Sequence, residues 1–384
     1  MSVAELLDGR RVCVCGGSGG VGKTTTSAAI ALGMAAQGAR VAVVTIDPAK
    51  RLANALGLEQ LQNEPRRIAP ERLAAGGMEI SGELWAMMLD PKRTFDELID
   101  RIAPDAQRAA DIKANRVYRQ LSSAVSGSQE FTAIAKLFDL QREGDFDLLV
   151  LDTPPSRNAL DFLDAPGRLT SFLEGRALKT FVRPPGGLGL GMRVLGRGAS
   201  PLFGVLRRIT GIDLLSDLSS FFGLLGDMTD DFSERAAAVE AMLKAPSTAF
   251  LIVTSAHDHA IDEAIWFRRT LQESGLPFAG AIVNRVHHDL LDGGEPDDLA
   301  APLAAEIGRS LGGRVIANLH DYHVLARRDQ RSIARLRRAL GARPLLQVPH
   351  FDDDVHDIAG LLQVTRYLFA SEDERARMLA DVVS

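Results

Sequence analysis

The chain is almost without cysteine: Cys13 and Cys15 are the two present among 384 residues. Two positions apart on one extended run, they share a face and cannot close a normal disulfide within so short a segment. A structural zinc site needs four ligands, and no further cysteine pair supplies them. No apolar run is long enough to span a bilayer, and the opening residues Met1, Ser2, Val3, Ala4 and Glu5 lack the basic-then-apolar shape of a secretory leader. Both features predict a cytoplasmic protein. Positive charge is in deficit too. With 44 Lys and Arg against 50 Asp and Glu the formal charge is −6, which argues against a general nucleic-acid binder. What remains is an ordinary hydrophobic content in a chain long enough for one large α/β domain, or for a domain with a sizeable insertion.

The most informative stretch is Gly17-Ser18-Gly19-Gly20-Val21-Gly22-Lys23-Thr24, followed by Thr25, with the spacing G-x-x-x-x-G-K-T. It follows an apolar strand-like run and opens an alanine-rich helical run, the strand–loop–helix context of a phosphate-binding loop. The glycines let backbone N–H groups point inward at phosphate oxygens, and the helix N-terminus adds partial positive charge. Lys23 is expected to reach the β- and γ-phosphates, and the Thr24 hydroxyl to ligate Mg²⁺. Gly17, Gly19 and Gly22 also spell G-x-G-x-x-G, and Asp47 stands where a ribose-binding acid of a dinucleotide fold would stand. The Lys23-Thr24 pair and an acid-ended strand described below favour a nucleoside triphosphate.

Six short apolar, β-branched runs read as buried parallel strands: 11–15, 40–46, 147–152, 249–254, 280–284 and 344–348. Helical sequence separates them, so the fold class is α/β, a doubly wound, mainly parallel sheet. In such sheets ligands bind at the carboxyl ends of the strands. The phosphate loop, Asp47, Asp152, Ser255 and Asn284 all fall there. Two long intervals, about 52–145 and 156–247, interrupt the alternation and read as mostly helical. In the second, Ile212, Leu215, Leu218, Phe222, Leu225, Phe232 and Val239 recur at helical spacing. One nucleotide domain over 1–384 with a helical subdomain inserted at these two intervals is therefore expected.

Residues 168–208 are basic, apolar and rich in glycine, with Glu174 the one acid. Such a stretch suits an apolar partner helix or an anionic membrane surface, and equally a helical lid packed into the subdomain. Between 286 and 340 an acidic loop precedes a basic helix, the pattern of a solvated face with local ion pairs. His257-Asp258-His259 admits a metal reading or a loop cap, and is not counted among the metal ligands.

Leu148-Leu149-Val150-Leu151-Asp152 is an apolar strand ending in a carboxylate, placed to hold Mg²⁺ opposite Thr24. Thr153-Pro154-Pro155-Ser156 then leads toward the second helical interval, a path suited to transmitting nucleotide state. Asp47, in Thr45-Ile46-Asp47-Pro48-Ala49, ends the second strand; a carboxylate there can orient or deprotonate an attacking water.

Residues 17–25, Asp47-Pro48-Ala49 and Asp152-Thr153-Pro154-Pro155-Ser156 resemble, in order and spacing, three motifs of one family, the arsenite-pump and tail-anchored-protein targeting ATPases. The resemblance runs on through Asn284 and Val348-Pro349 and so covers nearly the whole chain. It implies a P-loop ATPase with ATP and Mg²⁺ as cofactors, Lys23, Asp47 and Asp152 as catalytic residues, and Thr24, Asp47 and Asp152 around the metal. It further implies that Asn284 reads the adenine edge, that Pro349 lines the base pocket, and that a helical apolar groove opens and closes with nucleotide-driven dimer rotation. The partners implied are a second copy or a paralogous ATPase, and a hydrophobic helix client or membrane-associated protein, which would bring the chain to the membrane periphery.

This chain departs from the family pattern in three ways. Ser18 stands where the family carries a signature lysine that crosses the dimer to the partner's phosphates, a charge worth about 10³–10⁵ in rate. Slow hydrolysis by a homodimer follows, or a cation supplied by a paralogue or by Arg157; the alternative is a nucleotide-binding regulatory subunit with little activity of its own. Cys13 and Cys15 match neither the metalloid thiols nor the dimer-bridging zinc cysteines, and there is one ATPase unit rather than two, so arsenite transport is not expected. Asn158 replaces a frequent switch II histidine.

Overall fold

The structure, a computed structural model, describes residues 1–47, 49, 51–116, 118–119, 128–154, 228–291, 293–351 and 353–383. Eight strands among these residues form one sheet: β1 (Val12–Gly16), β2 (Arg40–Thr45), β3 (Arg66–Arg67), β4 (Glu83–Met88), β5 (Leu148–Asp152), β6 (Thr248–Ser255), β7 (Phe278–Val286) and β8 (Leu345–Pro349). Their spatial order is β3-β4-β2-β5-β1-β6-β7-β8. Every pairing is parallel except the short β3–β4 edge. β1, β5 and β6 are buried along their full lengths, as strands covered on both faces must be. The doubly wound, mainly parallel sheet expected from the sequence is therefore present, and each of the six expected strands is in it.

The principal helices are α1 (Lys23–Ala36), α2 (Pro91–Ile102), α3 (Ala106–Ala114), α4 (Ser128–Glu143), α5 (Thr229–Lys244), α6 (Asp258–Glu273), α7 (Arg309–Leu340) and α8 (Ile358–Phe369). α1 carries Ala28, Ala29, Ile30, Ala31, Leu32 and Ala35 fully buried, an all-round apolar helix that belongs inside. α8 packs beside it, with the Thr365 hydroxyl 3.2 Å from the Ala29 carbonyl. α6 covers the other face, where the ring of Phe267 fills the space a side chain at Gly16 would need. The sheet is thus sandwiched between helical layers. Among the described residues no helix is long and apolar enough to cross a membrane.

Helix predominates among the described residues of the interval 52–145, as the sequence suggests, but the interval also contributes β3 and β4 to the sheet, with β4 paired along β2 from Arg40↔Glu83 to Thr45↔Met88. Glu83-Leu84-Trp85-Ala86-Met87-Met88 contains no β-branched residue and is rich in helix formers, so local preference pointed the wrong way. Burial of Leu84, Ala86 and Met87 against the core decides the outcome.

The chain divides into two compact units. The first, within Met1–Leu89, Leu140–Ala159 and Leu243–Ser384, holds the sheet and its covering helices. The second, within Asp90–Asp139 and Leu160–Met242, shows α2, α3 and most of α4 and α5 among its described residues. There Asp139 meets Arg101 at 3.3 Å and also pairs with Arg235, while Tyr118 donates its buried hydroxyl to Asp96 at 2.5 Å. Val239 is buried; residues 156–227, which include most of the expected apolar stripe and the basic stretch 168–208, lie outside the described residues. Between 286 and 340 an expected ion pair is present, Arg327 at 2.7 Å from Glu295, and His320 is hydrogen-bonded to Asp297 at 2.9 Å.

Leu84→Ala is expected to cost about 2–5 kcal/mol in urea unfolding, as for a fully buried core leucine. A loss below about 1 kcal/mol would contradict the placement of β4 in the core.

Candidate functional site

The parallel register brings the chemistry to one edge. Asp152, the last residue of β5, lies beside Cys15 of β1 and Thr45 of β2 in the ladder. β1 then turns into residues 17–22 and α1. Gly17 is required by close approach: a Cβ there would sit 1.9 Å from the Val253 carbonyl oxygen of β6. Gly22 has φ +92 and would push a side chain into the Asn284 amide, 2.2 Å away. Gly19 and Gly20 are exposed at the tip, Val21 is buried beneath it, and Thr25 follows on the first turn of α1. No side chain caps α1, whose N-cap is Gly22, so its first-turn amides stay available to an anion.

Lys23 is buried, and its ammonium donates to the carbonyls of Gly17 at 2.8 Å and Ser18 at 2.7 Å. The loop thus wraps around its own lysine. Burial pulls the Lys23 pKa below the ordinary value, against the opposing pull of Asp152 and Asp47. The Thr24 hydroxyl donates to Asp152 Oδ2 at 2.7 Å, and the Thr45 hydroxyl donates to the same oxygen at 2.9 Å. Asp152 Oδ1 is buried with no hydrogen-bond partner. Burial drives the Asp152 carboxyl up to about 6, although both hydroxyls and Lys23 work in the other direction. A desolvated carboxylate with one oxygen unpaired, next to a threonine hydroxyl, is a donor set suited to a hard divalent cation such as Mg²⁺.

Asp47 lines the same cavity, of about 520 Å³, together with Lys23, Thr24, Thr25, Asn284 and Phe351. Its carboxylate accepts from the Ala49 amide at 2.9 Å and lies 3.8 Å from the Arg51 guanidinium. Asn284 also reaches back, donating Nδ2 to the Val21 carbonyl at 3.0 Å, so it braces the loop. Pro349 is buried as the last residue of β8, and the next two residues, His350 and Phe351, line the cavity. Arg285 lines it as well and is the one described non-glycine residue with positive φ, +58. Sequence reading missed Arg285, His350 and Phe351, because contact with a cavity across strand ends leaves no local pattern. Residues 155–158, with Arg157 and Asn158, lie outside the described residues.

Ser18 is buried and its hydroxyl is hydrogen-bonded to Glu263 of α6. His257 occupies the N-cap of α6 without a side-chain capping bond, and among the described residues no group of His, Cys, Asp or Glu has metal-binding geometry. Cys13 and Cys15 are fully buried free thiols on β1, sulfurs 3.9 Å apart.

Comparison with known proteins places the chain in a family. The family described as anion-transporting ATPase matches residues 10–293. A Malassezia globosa protein named ATPase GET3 is 30% identical over 159 residues, 41% of this chain and 43% of that protein. A Mycosarcoma maydis ATPase GET3 is 27% identical over 225 residues, 57% of this chain and 58% of the relative. A Paramecium tetraurelia protein named ATPase ASNA1 homolog 1 is 32% identical over 152 residues, 39% of this chain and 42% of the relative. The chain thus spans about half the length of the curated relatives it matches.

The raised carboxyl has a pH signature. Folded Asp152 keeps its proton up to about 6, whereas the ordinary value is 3.8. Between those values the native state binds the extra proton, so stability of the nucleotide-free protein should fall as pH rises, by ~3 kcal/mol in all. Asp152→Asn is expected to flatten that slope and to be the more stable protein at pH 7.5, measured by urea unfolding at both ends of the window. An unchanged slope in the variant would show that the carboxyl titrates normally.

Proposed function

The chain belongs to the anion-transporting ATPase family, and on that footing we propose that it binds ATP with Mg²⁺ and hydrolyses it. The observation that carries the reading is the convergence of the Thr24 and Thr45 hydroxyls on one buried, half-unpaired carboxylate, Asp152, whose charge also interacts with that of Lys23. The loop amides and the α1 N-terminus would hold the phosphates, and Lys23, released from the Gly17 and Ser18 carbonyls, would neutralise their charge. Thr24 and Asp152 would hold Mg²⁺, with Asp47 nearby; when bound, the ion supplies charge neutralisation across the phosphates. Asp47, fixed by the Ala49 amide, would orient the attacking water. Asn284 and the residues after Pro349 would bound the base pocket.

Hydrolysis is proposed to drive a conformational switch of the helical second unit, which would take a hydrophobic segment or a membrane-associated protein as client. Relatives named ATPase GET3 support the ATPase part of this reading, and the targeting role rests on the family resemblance of the three motifs. In this reading the chain acts in the cytoplasm, as a homodimer or with a paralogous ATPase, and reaches the membrane periphery through its client. A second reading, a regulatory subunit with little turnover, draws on Ser18, whose hydroxyl is committed to Glu263 and offers no cation to a partner's phosphates.

Lys23→Ala should abolish ATP turnover, leaving the fold intact. Apolar-peptide affinity of the wild-type protein should differ between ATP- and ADP-loaded states by about 5–150-fold. Equal peptide affinity in both states would contradict a switch, because such a ligand shifts no equilibrium. An isolated wild-type chain that binds Mg-ATP without turnover, and that Ser18→Lys does not activate, would favour the regulatory reading.

A further inference from the structure

The basic half of α7 forms a built surface. Residues 327–338 read Arg-Arg-Asp-Gln-Arg-Ser-Ile-Ala-Arg-Leu-Arg-Arg, six arginines against one acid in a chain of net charge −6. Arg328, Arg331, Arg335 and Arg338 are spaced three, four and three apart, so they form one row about 15 Å long on a single helix face. That row lines a groove of about 360 Å³ with Ser332 and with Asp258 of α6. The opposite face of α7 is what holds it to the protein, through buried Ala326, Ile333, Leu336 and Leu340.

The four guanidiniums are unequally engaged. Arg328 turns back on Asp329 at 2.9 Å. Arg335 reaches Asp262 at 3.1 Å and the Asp258 carbonyl at 3.1 Å, while its Nε is buried without a partner. Arg331 and Arg338 are exposed and donate to backbone carbonyls one helical turn back, at 3.2 and 3.4 Å; among the described residues neither meets a carboxylate. Two planar, always-charged forks with spare donors, exposed beside a third with an unused N–H, are built to take carboxylates in paired hydrogen bonds.

We infer that this groove docks an acidic helical segment of a partner protein, its carboxylates spaced three or four residues apart to match the arginine row. The exposed carboxylates of Asp258 and Asp262 border the row, so a continuous phosphate surface, lipid or nucleic acid, would be repelled where a single acidic ridge is not.

The groove is also wired to the phosphate loop. Ser332 donates to Asp258 at 2.9 Å and Arg335 grips the first turn of α6; one turn further on, Glu263 accepts the Ser18 hydroxyl. An incoming carboxylate that draws Arg335 away from Asp258 and Asp262 alters how α6 is held, and α6 holds the loop. The docking proposal stands on the arginine row alone, whereas this coupling rests on the nucleotide reading above.

The test uses the full chain and a short fluorescent helical peptide with glutamates at every third or fourth position. Its glutamine counterpart, vesicles containing phosphatidylglycerol and a short single-stranded RNA serve as comparisons. ADP affinity is measured in the same samples, so failure of the nucleotide site is seen separately from failure of docking. The glutamate peptide should bind best, and R331E/R338E should weaken it at least about tenfold, with R331K/R338K intermediate and ADP affinity kept in both. Peptide should shift wild-type ADP affinity by about fivefold, and E263Q should remove the shift while retaining peptide binding. Absent binding, binding unaffected by R331E/R338E, or tighter binding to vesicles or RNA would overturn the docking surface. An ADP affinity indifferent to peptide would overturn the coupling.

Discussion

One desolvated carboxylate organises this molecule. Asp152 sits at the end of a fully buried strand, and its proton affinity is raised because water has been removed around it. Two threonine hydroxyls, one from α1 and one from β2, satisfy a single oxygen and leave the other unpaired. A buried polar atom without a partner is costly in a folded protein, and it marks places where a ligand completes the structure. The sheet order serves that point: β5 lies between β1 and β2, so the loop-bearing strand and the Thr45 strand both flank Asp152.

The loop is held by the same balance. The Lys23 ammonium donates to the carbonyls of Gly17 and Ser18, and its burial lowers its proton affinity. Cation and carboxylate thus sit close together, each carrying a desolvation cost that a bound phosphate and metal would relieve. On the outer side of the loop Ser18 is tied to α6 through Glu263. The loop is therefore held from two directions, by the sheet edge within and by α6 without.

Much of this was legible in the residues. The glycine loop, Lys23, Thr24 and the acid-ended strand form patterns with a spacing fixed by backbone geometry, and their buried strands follow from apolar, β-branched runs. Asp47, two residues past β2, and Asn284, two residues short of the end of β7, lie near the carboxyl ends of their strands, but their partners were not foreseen: Asp47 is fixed by the Ala49 amide, and Asn284 by the Val21 carbonyl. Those bonds depend on loops meeting across the sheet edge. β4 escaped detection because Leu, Ala and Met favour helix locally and became a strand only by pairing with β2. Arg285, His350 and Phe351 escaped for a related reason, since a cavity wall assembled from two strand ends has no period. The ion pairs of the 286–340 region were foreseen from charge alone, whereas the arginine row facing α6 emerges only once α7 is wound and docked.

The central claim is that a triphosphate and a divalent cation together complete the Asp152 cluster. Titration calorimetry of the intact chain with ATP, with and without Mg²⁺, addresses it directly. The account predicts binding that is tighter by about tenfold or more when Mg²⁺ is present, a gain lost in Asp152→Asn. No heat with Mg-ATP in a correctly folded sample, or an affinity indifferent to both the metal and Asp152, would contradict it.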